Sequence, residues 1–469
     1  MADRPGLATR AFEAAYALLA RVSRYDAWTQ FQALQSNQWR AAGELHAIRW
    51  AKARRLLTYA MEQVPFYRDM WTAVGVDPRR FTCIDDLRHL PVTTRAAVLQ
   101  AQQDDGFLLS RRNDYQMTHS SGTTGPRVYL PFTPADMQVK YANYLREFYV
   151  TDWRLGMRSA ALHYSGHPEF AGRYTGQPDQ DNYVGTRQFV FRVLHNRILY
   201  PPYASSESGD DTIVAAWYDA LRRRPPFLLE TMEFNILALL KYIEDRGLPR
   251  LRIPRMFVLA TLSDGLRRRL EEAFASEVFN RFGPHEMEGV GFECHEHRGI
   301  HLAIDSVHPE FLDEEDRPVG PGEWGRLILT DLDSYTMPLI RYELGDIGSY
   351  VDQPCPCGRR FPLMNGIGCR MRDRLVGIDG RPLVPRPLIS AAQDDDAVRF
   401  VQIAQAPDGS IEVRVVPDAA QWSAGRAATL LERLRTAVPA ERDRLRVVTV
   451  DRVHLEPNGK FSAVRKWES

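Results

Sequence analysis

The sequence predicts an α/β protein, a large domain of alternating strands and helices followed by a small α+β unit. Three observations carry this. From Tyr115 to about Val351, short β-rich runs such as Phe257-Val258-Leu259 and Leu327-Ile328-Leu329 alternate with helical segments at Ala135 to Phe148, Thr212 to Arg223, Glu233 to Arg246 and Leu266 to Phe274. Ahead of them the chain reads as helical: Gly43 to Gln63 spaces Leu45, Ile48, Ala51, Leu56 and Ala60 on one face and stops at Val64-Pro65, with a second stop at Leu90-Pro91. After Arg374 the pattern changes to a hairpin (Val398 to Gln405, Pro407-Asp408-Gly409, Ile411 to Val416), a helix (Ala424 to Val438) and a strand (Leu445 to Val450).

A chain of 469 residues, 44% hydrophobic, buries a large core and divides into about two to four domains. Sixty basic and sixty acidic residues cancel, which argues against a nucleic-acid partner. The most apolar stretch, Phe227 to Ile243, is broken by Glu230, Glu233 and Lys241, and the N-terminus lacks a signal-peptide pattern. No membrane partner and a cytoplasmic location are therefore expected. Five cysteines give no disulfide framework in a chain this long. Only five of the sixty basic residues are lysine, so Lys460, in a glycine-containing loop, stands out.

The run Thr118-His119-Ser120-Ser121-Gly122-Thr123-Thr124-Gly125-Pro126-Arg127 has the chemistry of a polyphosphate cradle. Glycines let backbone N–H groups approach an anion, and the hydroxyls of Ser120, Ser121, Thr123 and Thr124 add donors. It is not a Walker loop, because Gly125 is followed by Pro126 instead of lysine. Taken alone, the run reads equally well as a Ser/Gly turn.

Four further segments follow in order: Arg281-Phe282-Gly283-Pro284-His285-Glu286, Ile340-Arg341-Tyr342-Glu343-Leu344-Gly345-Asp346, Arg370-Met371-Arg372-Asp373 and Pro457-Asn458-Gly459-Lys460. This series resembles the adenylate-forming superfamily of acyl-CoA ligases. Glu62-Gln63-Val64-Pro65-Phe66-Tyr67-Arg68 and Leu90-Pro91-Val92-Thr93-Thr94-Arg95 are similar to the phenylacetate-CoA ligase branch, which includes capsule-biosynthesis relatives. The resemblance covers essentially the whole chain. It implies an N-terminal ATP- and acid-binding domain over residues 1–369, with a helical start over 1–114, a hinge at 370–375, and a mobile C-terminal α+β domain over 376–469 that rotates between two half-reactions.

The resemblance also implies roles. Ser120, Ser121, Gly122, Thr123, Thr124 and Gly125 would hold the β- and γ-phosphates of ATP, Phe282 and Gly283 would flank the nucleotide and acyl group, and Glu286 would ligate Mg²⁺. Asp346 would accept from both ribose hydroxyls, as one carboxylate can, and Arg370 would reach the same ribose. Asp373 falls at the hinge. Lys460 would bridge the acid's carboxylate and the α-phosphate, where a compact ammonium suits the crowded centre. Three positions depart from the family: Pro126 directly after Gly125, Asp264 in Leu262-Ser263-Asp264-Gly265-Leu266 in place of a glutamate, and His285 where a Ser or Thr is usual. His163, Tyr164 and Phe234 are candidates for the acid pocket, with simple core packing as the other reading.

Cysteines 294, 355 and 357 lie near His295, His297 and His301 and offer the Cys₃His set zinc favours. The phenylacetate-ligase branch has relatives with this cysteine, Gly-x-His and Cys-x-Cys-Gly arrangement around a structural zinc, and this singles out Cys294, His301, Cys355 and Cys357. The activity implied is ATP-dependent, AMP-forming activation of a carboxylic acid, an aromatic one among the candidates, with transfer to CoA. Two alternatives stay open: transfer to an amine or a carrier-protein thiol, and an inactive nucleotide-binding scaffold. A homodimer is left open too.

Overall fold

The computed structural model describes residues 7–22, 27–119, 127–162, 196–200, 212–259, 262–287, 289–456 and 461–465. The described residues fall into two units, one within 7–156 and 281–366, the other within 157–162, 196–280 and 367–465.

The first unit begins with the expected helices: α1 (Leu7–Val22), α2 (Ala27–Asn37), α3 (Ala42–Gln63), α4 (Pro65–Ala73), α5 (Arg95–Gln103) and α6 (Pro134–Val150). Helix α3 buries Leu45, Ala53, Leu56, Leu57 and Ala60 on one face. Its stop at Val64-Pro65 is a restart: Val64 is extended (φ −118°, ψ 99°), as a residue before proline tends to be, and Pro65 opens α4 at a position whose N–H needs no helical partner. Strands β1 (Gln116–His119) and β2 (Tyr129–Phe132) pair antiparallel with His119 opposite Tyr129. The rest of this unit is mainly antiparallel sheet. Strands β7 (Glu277–Phe282), β8 (Gly291–Glu293), β9 (Ile300–Leu302), β10 (Val307–Leu312), β11 (Gly325–Asp331), β12 (Tyr342–Val351) and β13 (Leu363–Arg370) lie in the order β10-β11-β12-β13-β9-β8-β7. The expected alternation with helices therefore ends near residue 280, not at Val351. Strands of three residues, such as β8 and β9, are too short for a period-2 pattern to register.

A buried ion pair ties these layers together. Asp305, in the turn between β9 and β10, accepts from Arg146 Nη1 of α6 at 2.8 and 2.9 Å, and from Asn37 Nδ2 of α2 at 3.0 Å. Arg146 Nη2 also donates to Asn143 Oδ1 at 2.6 Å, and both charged side chains are fully buried. Such a pair is tolerable because both terminal nitrogens of Arg146 and both oxygens of Asp305 are hydrogen-bonded; Arg146 Nε has no partner among the described residues.

In the second unit β4 (Arg197–Leu199), β3 (Ser159–Leu162), β5 (Leu228–Met232), β6 (Arg255–Leu259) and the start of β7 form a parallel sheet in that order. Helices α7 (Thr212–Arg223), α8 (Glu233–Asp245) and α9 (Asp264–Phe274) connect and cover it. Near-continuous apolar runs such as Met256-Phe257-Val258 are what a parallel sheet buried on both faces requires. The C-terminal residues add a short pair, β14 (Leu375–Val376) with β15 (Pro382–Leu383), helix α10 (Arg386–Gln393), and a four-stranded sheet. That sheet has the order β18-β17-β16-β19, from β16 (Val398–Gln405), β17 (Ile411–Pro417), β18 (Leu445–Thr449) and β19 (Val464–Arg465), with α11 (Ala424–Ala437) packed on it. The expected hairpin closes with Gln405 opposite Ile411 and Gly409 at φ +84°. It has its own core of Leu388, Val401, Ile403, Val413, Leu430 and Leu434. It also packs on α8 and α9: Gln393 Nε2 donates to Glu233 Oε1 at 2.7 Å, and Asp394 Oδ1 accepts from Gly265 N at 2.7 Å. Among the described residues no helix is long and apolar enough to cross a membrane.

Candidate active site and metal centre

Phe282 ends β7, and Gly283 leads into a turn closed by Met287 N donating to Pro284 O at 3.0 Å. His285 and Glu286 occupy the middle of this turn, both partly exposed. Two contacts brace the segment on α6. Arg281 Nη1 lies 3.4 Å from Glu147 Oε2, a pair almost wholly buried. Gly289, at φ +76°, rests on Asn143, whose Cβ would be 2.4 Å from any added side-chain carbon. The glycine is thus needed twice over, for its backbone angle and for the close approach. The Glu286 side chain is about 10% exposed and forms one ion pair among the described residues, to Arg95 Nη1 at 3.5 Å.

Asp346 owes its position to an irregularity in β12. Arg326 of β11 pairs with Ile347 and Ile328 with Glu343, so two steps along β11 face four along β12, and Leu344, Gly345 and Asp346 bulge out of the ladder. Gly345 takes φ +86°, which a side chain would oppose. The entrance to the strand is fixed by Arg341, itself at φ +48°. It donates to both oxygens of Glu310 at 3.0 Å, to Arg88 O at 3.1 Å and to Leu90 O. Arg341 and Glu310 are structural members that the sequence pattern alone does not distinguish from site residues.

In the second unit Asp264 is exposed in the first turn of α9, just after the capping Ser263. Arg370 ends β13 and is partly buried. Asp373 sits close to Ser462 Oγ (3.4 Å) and Arg372, and Arg372 Nη2 donates to Glu456 Oε1 at 2.6 Å. Burial pushes the Asp373 carboxyl above the ordinary aspartate range, against the opposing pull of Arg372 and Arg370. Phe234 packs against Phe400 and stacks on Phe461, in keeping with a core role. Ser120 to Gly125, His163, Tyr164 and Lys460 lie outside the described residues.

The four expected metal ligands come together. Cys294 follows β8, His301 lies in β9, and Cys355 and Cys357 follow β12. His301 Nε2 is 3.3 Å from Cys294 Sγ and 3.5 Å from Cys357 Sγ, and the Cys294 and Cys355 sulfurs are 3.6 Å apart. All four ligand atoms lie within 4.8 Å of one another. Tetrahedral bonds of roughly 2.3 Å to sulfur and 2.0 Å to nitrogen imply ligand separations of about 3.5–3.8 Å, close to these. Gly299, at φ +132°, lets the chain pass Met364 O, which a Cβ would meet at 2.8 Å. Burial, with the nearby Arg359 charge, holds the His301 pKa down to about 4, leaving the neutral imidazole a metal needs. Burial raises the Cys294 and Cys355 thiols. It acts the same way on Cys357, but hydrogen bonds from Arg359 and Cys355 and the Arg359 charge together outweigh it and lower that thiol. His295 and His297 point elsewhere, to Asp152 and Glu293.

No protein-family model matches the chain. Sequence relatives exist nonetheless. The phenylacetate-coenzyme A ligase of Thermus thermophilus is 25% identical over 388 residues, covering 79% of this chain and 80% of that one. The phenylacetate-coenzyme A ligase of Escherichia coli is 25% identical over 386 residues, covering 79% of each. Among solved structures, 2-hydroxyisobutyryl-CoA ligase in complex with its acyl-AMP superposes with a TM-score of 0.76 at 18% identity, covering 92% of this chain and 91% of that one. The fold is that of adenylate-forming acyl-CoA ligases. Within that class, the chain's sequence homologues are phenylacetate-coenzyme A ligases.

Proposed function

We propose that this protein is an AMP-forming acid–CoA ligase. The observation that carries this reading is the similarity to phenylacetate-coenzyme A ligases across 79% of the chain. In the first half-reaction a carboxylate oxygen of the acid attacks the α-phosphorus of ATP, the bond to the β-phosphate oxygen breaks, and pyrophosphate leaves. In the second, the CoA thiol loses its proton and attacks the acyl carbon, the carbon–oxygen bond breaks, and AMP leaves. Negative charge gathers on phosphorus oxygens in the first step, so fixed donors and cations supply the catalysis.

Ser120 to Gly125 hold the β- and γ-phosphates, Phe282 and Gly283 flank the nucleotide, and Asp346 with Arg370 takes the ribose. His285 faces the reacting phosphate in place of a hydroxyl donor, and Asp264 serves the adenine side. Lys460 bridges carboxylate and α-phosphate, and Asp373 is the hinge about which the C-terminal residues turn. Glu286 holds Mg²⁺, whose charge, when bound, neutralises the phosphates; a nearly buried carboxylate with one long ionic contact suits that task. Cys294, His301, Cys355 and Cys357 hold one zinc, and four protein ligands make it a closed, structural site.

The test is acid-dependent exchange of labelled pyrophosphate into ATP across a panel of carboxylic acids, aromatic acids first, each followed by thioester assay with and without CoA. Exchange with at least one acid and CoA-dependent thioester are expected. Exchange with no thioester would move the acceptor to an amine or a carrier-protein thiol, and no exchange with any acid would contradict adenylation.

A further inference from the structure

We propose that Arg95 is the positioning residue of Glu286, an assignment that rests on Glu286 being the carboxylate that holds the nucleotide's divalent cation. The two residues are 191 positions apart, and the fold brings Arg95 Nη1 to 3.5 Å from Glu286 Oε1, with side chains 22% and 10% exposed. The backbone that carries Arg95 is pinned. Thr93 N donates to Arg341 O at 2.8 Å, Thr93 O accepts from Glu343 N at 2.9 Å, and Thr93 Oγ1 donates to Ile340 O at 2.7 Å. Thr94 then caps α5 by accepting from Ala97 N at 3.2 Å, so Arg95 stands at the first helical position of a pinned segment. The fully buried Tyr342 lies in the field of both charges.

The contact geometry suits a metal's supporting partner. A buried carboxylate without a counter-charge is costly, and Arg95 supplies one. At 3.5 Å the contact is longer than the 2.7–2.9 Å or so of a charge-assisted hydrogen bond, and its nearest approach is to Oε1. The carboxylate is therefore oriented by a positive charge at ionic and not hydrogen-bond distance, which leaves it able to take a cation. Partners of this kind orient ligands, and their loss weakens metal binding by about 10- to 100-fold.

The experiment measures binding of the Mn²⁺–ATP complex to the full chain by electron paramagnetic resonance, and separately the Mg²⁺ dependence of pyrophosphate exchange. Parent, Glu286→Gln, Arg95→Gln and Arg95→Lys are compared. Expected are weaker ion retention in both Gln variants, by about 10- to 100-fold for Arg95→Gln, and a raised Mg²⁺ half-saturation that high Mg²⁺ overcomes with kcat largely recovered. Arg95→Lys should fall between. Parent-like or tighter ion binding in Arg95→Gln, alongside weakened Glu286→Gln, would overturn the inference and leave the reading of Glu286 standing. Undiminished binding in Glu286→Gln would remove that reading and this inference with it. Should Arg95→Gln lose the parent's unfolding midpoint, Arg95→Lys decides: a shifted Mg²⁺ half-saturation supports the assignment, an unchanged one overturns it.

Discussion

Arg146 and Asp305 form an ion pair with neither side chain exposed, one guanidinium nitrogen reaching both carboxylate oxygens at 2.8 and 2.9 Å. The pair joins α2, α6 and the β9–β10 turn, next to the strand that carries His301. Removing one partner strands the other charge in the core. Asp305→Ala should therefore lower unfolding free energy by about 3–5 kcal/mol in denaturant titration. A loss under about 1 kcal/mol would show that water reaches the site.

Metal content is the next expectation. Purified protein should contain close to one zinc per chain, and Cys355→Ser or Cys357→Ser should lose the metal and lower the melting temperature. Pyrophosphate exchange measured well below that temperature should survive, as expected of a closed site with four protein ligands. Elemental analysis without stoichiometric zinc would contradict this.

Acid sensitivity should trace in part to His308. Arg49 Nη2 lies 2.9 Å from His308 Nδ1, and a guanidinium can only donate, so the imidazole is neutral with its proton on Nε2. Burial, then the charges of Arg49 and Arg341, pushes its pKa from 6.5 down to about 3. The unfolded chain takes up this proton near pH 6.5 and the folded one does not. The contribution is full above pH 6.5 and is lost as pH falls toward 3, by up to about 1.4 kcal/mol per pH unit. Replacing His308 with Gln keeps an acceptor for Arg49 and should flatten the dependence between pH 4 and 6.5. An unchanged slope in denaturant titrations would assign it to other groups.

Lys460 should separate the two half-reactions. Lys460→Ala is expected to lose about two to four orders of magnitude in adenylation, as removal of a charge-stabilising group commonly does. Thioester formation from synthetic acyl-adenylate should be little changed. Equal losses in both would count against a lysine that serves one conformation.

Much of this was legible in the sequence, and the limits have physical causes. Helices with clear periodicity, such as α3 and α11, and the hairpin of β16 and β17 lie where period and turn chemistry put them. The three cysteines of the candidate metal centre could be read because cysteine is scarce and their spacing is diagnostic, whereas His301 was singled out through the family resemblance. The antiparallel half of the first unit was not, since its shortest strands carry too few residues to show alternation. Nor were the supports of the site. Arg95, Glu147, Arg281 and Arg341 are ordinary charges among sixty of each sign, and only the fold shows which of them are buried and paired.

The central claim is that the acid's own oxygen bonds to the α-phosphorus of ATP, and oxygen labelling tests it most directly. With a carboxylic acid carrying ¹⁸O in its carboxylate, one complete turnover with CoA should place one labelled oxygen on AMP, with pyrophosphate unlabelled, as mass spectrometry of the products would show. Unlabelled AMP, or label in inorganic phosphate alongside ADP, would contradict an acyl-adenylate.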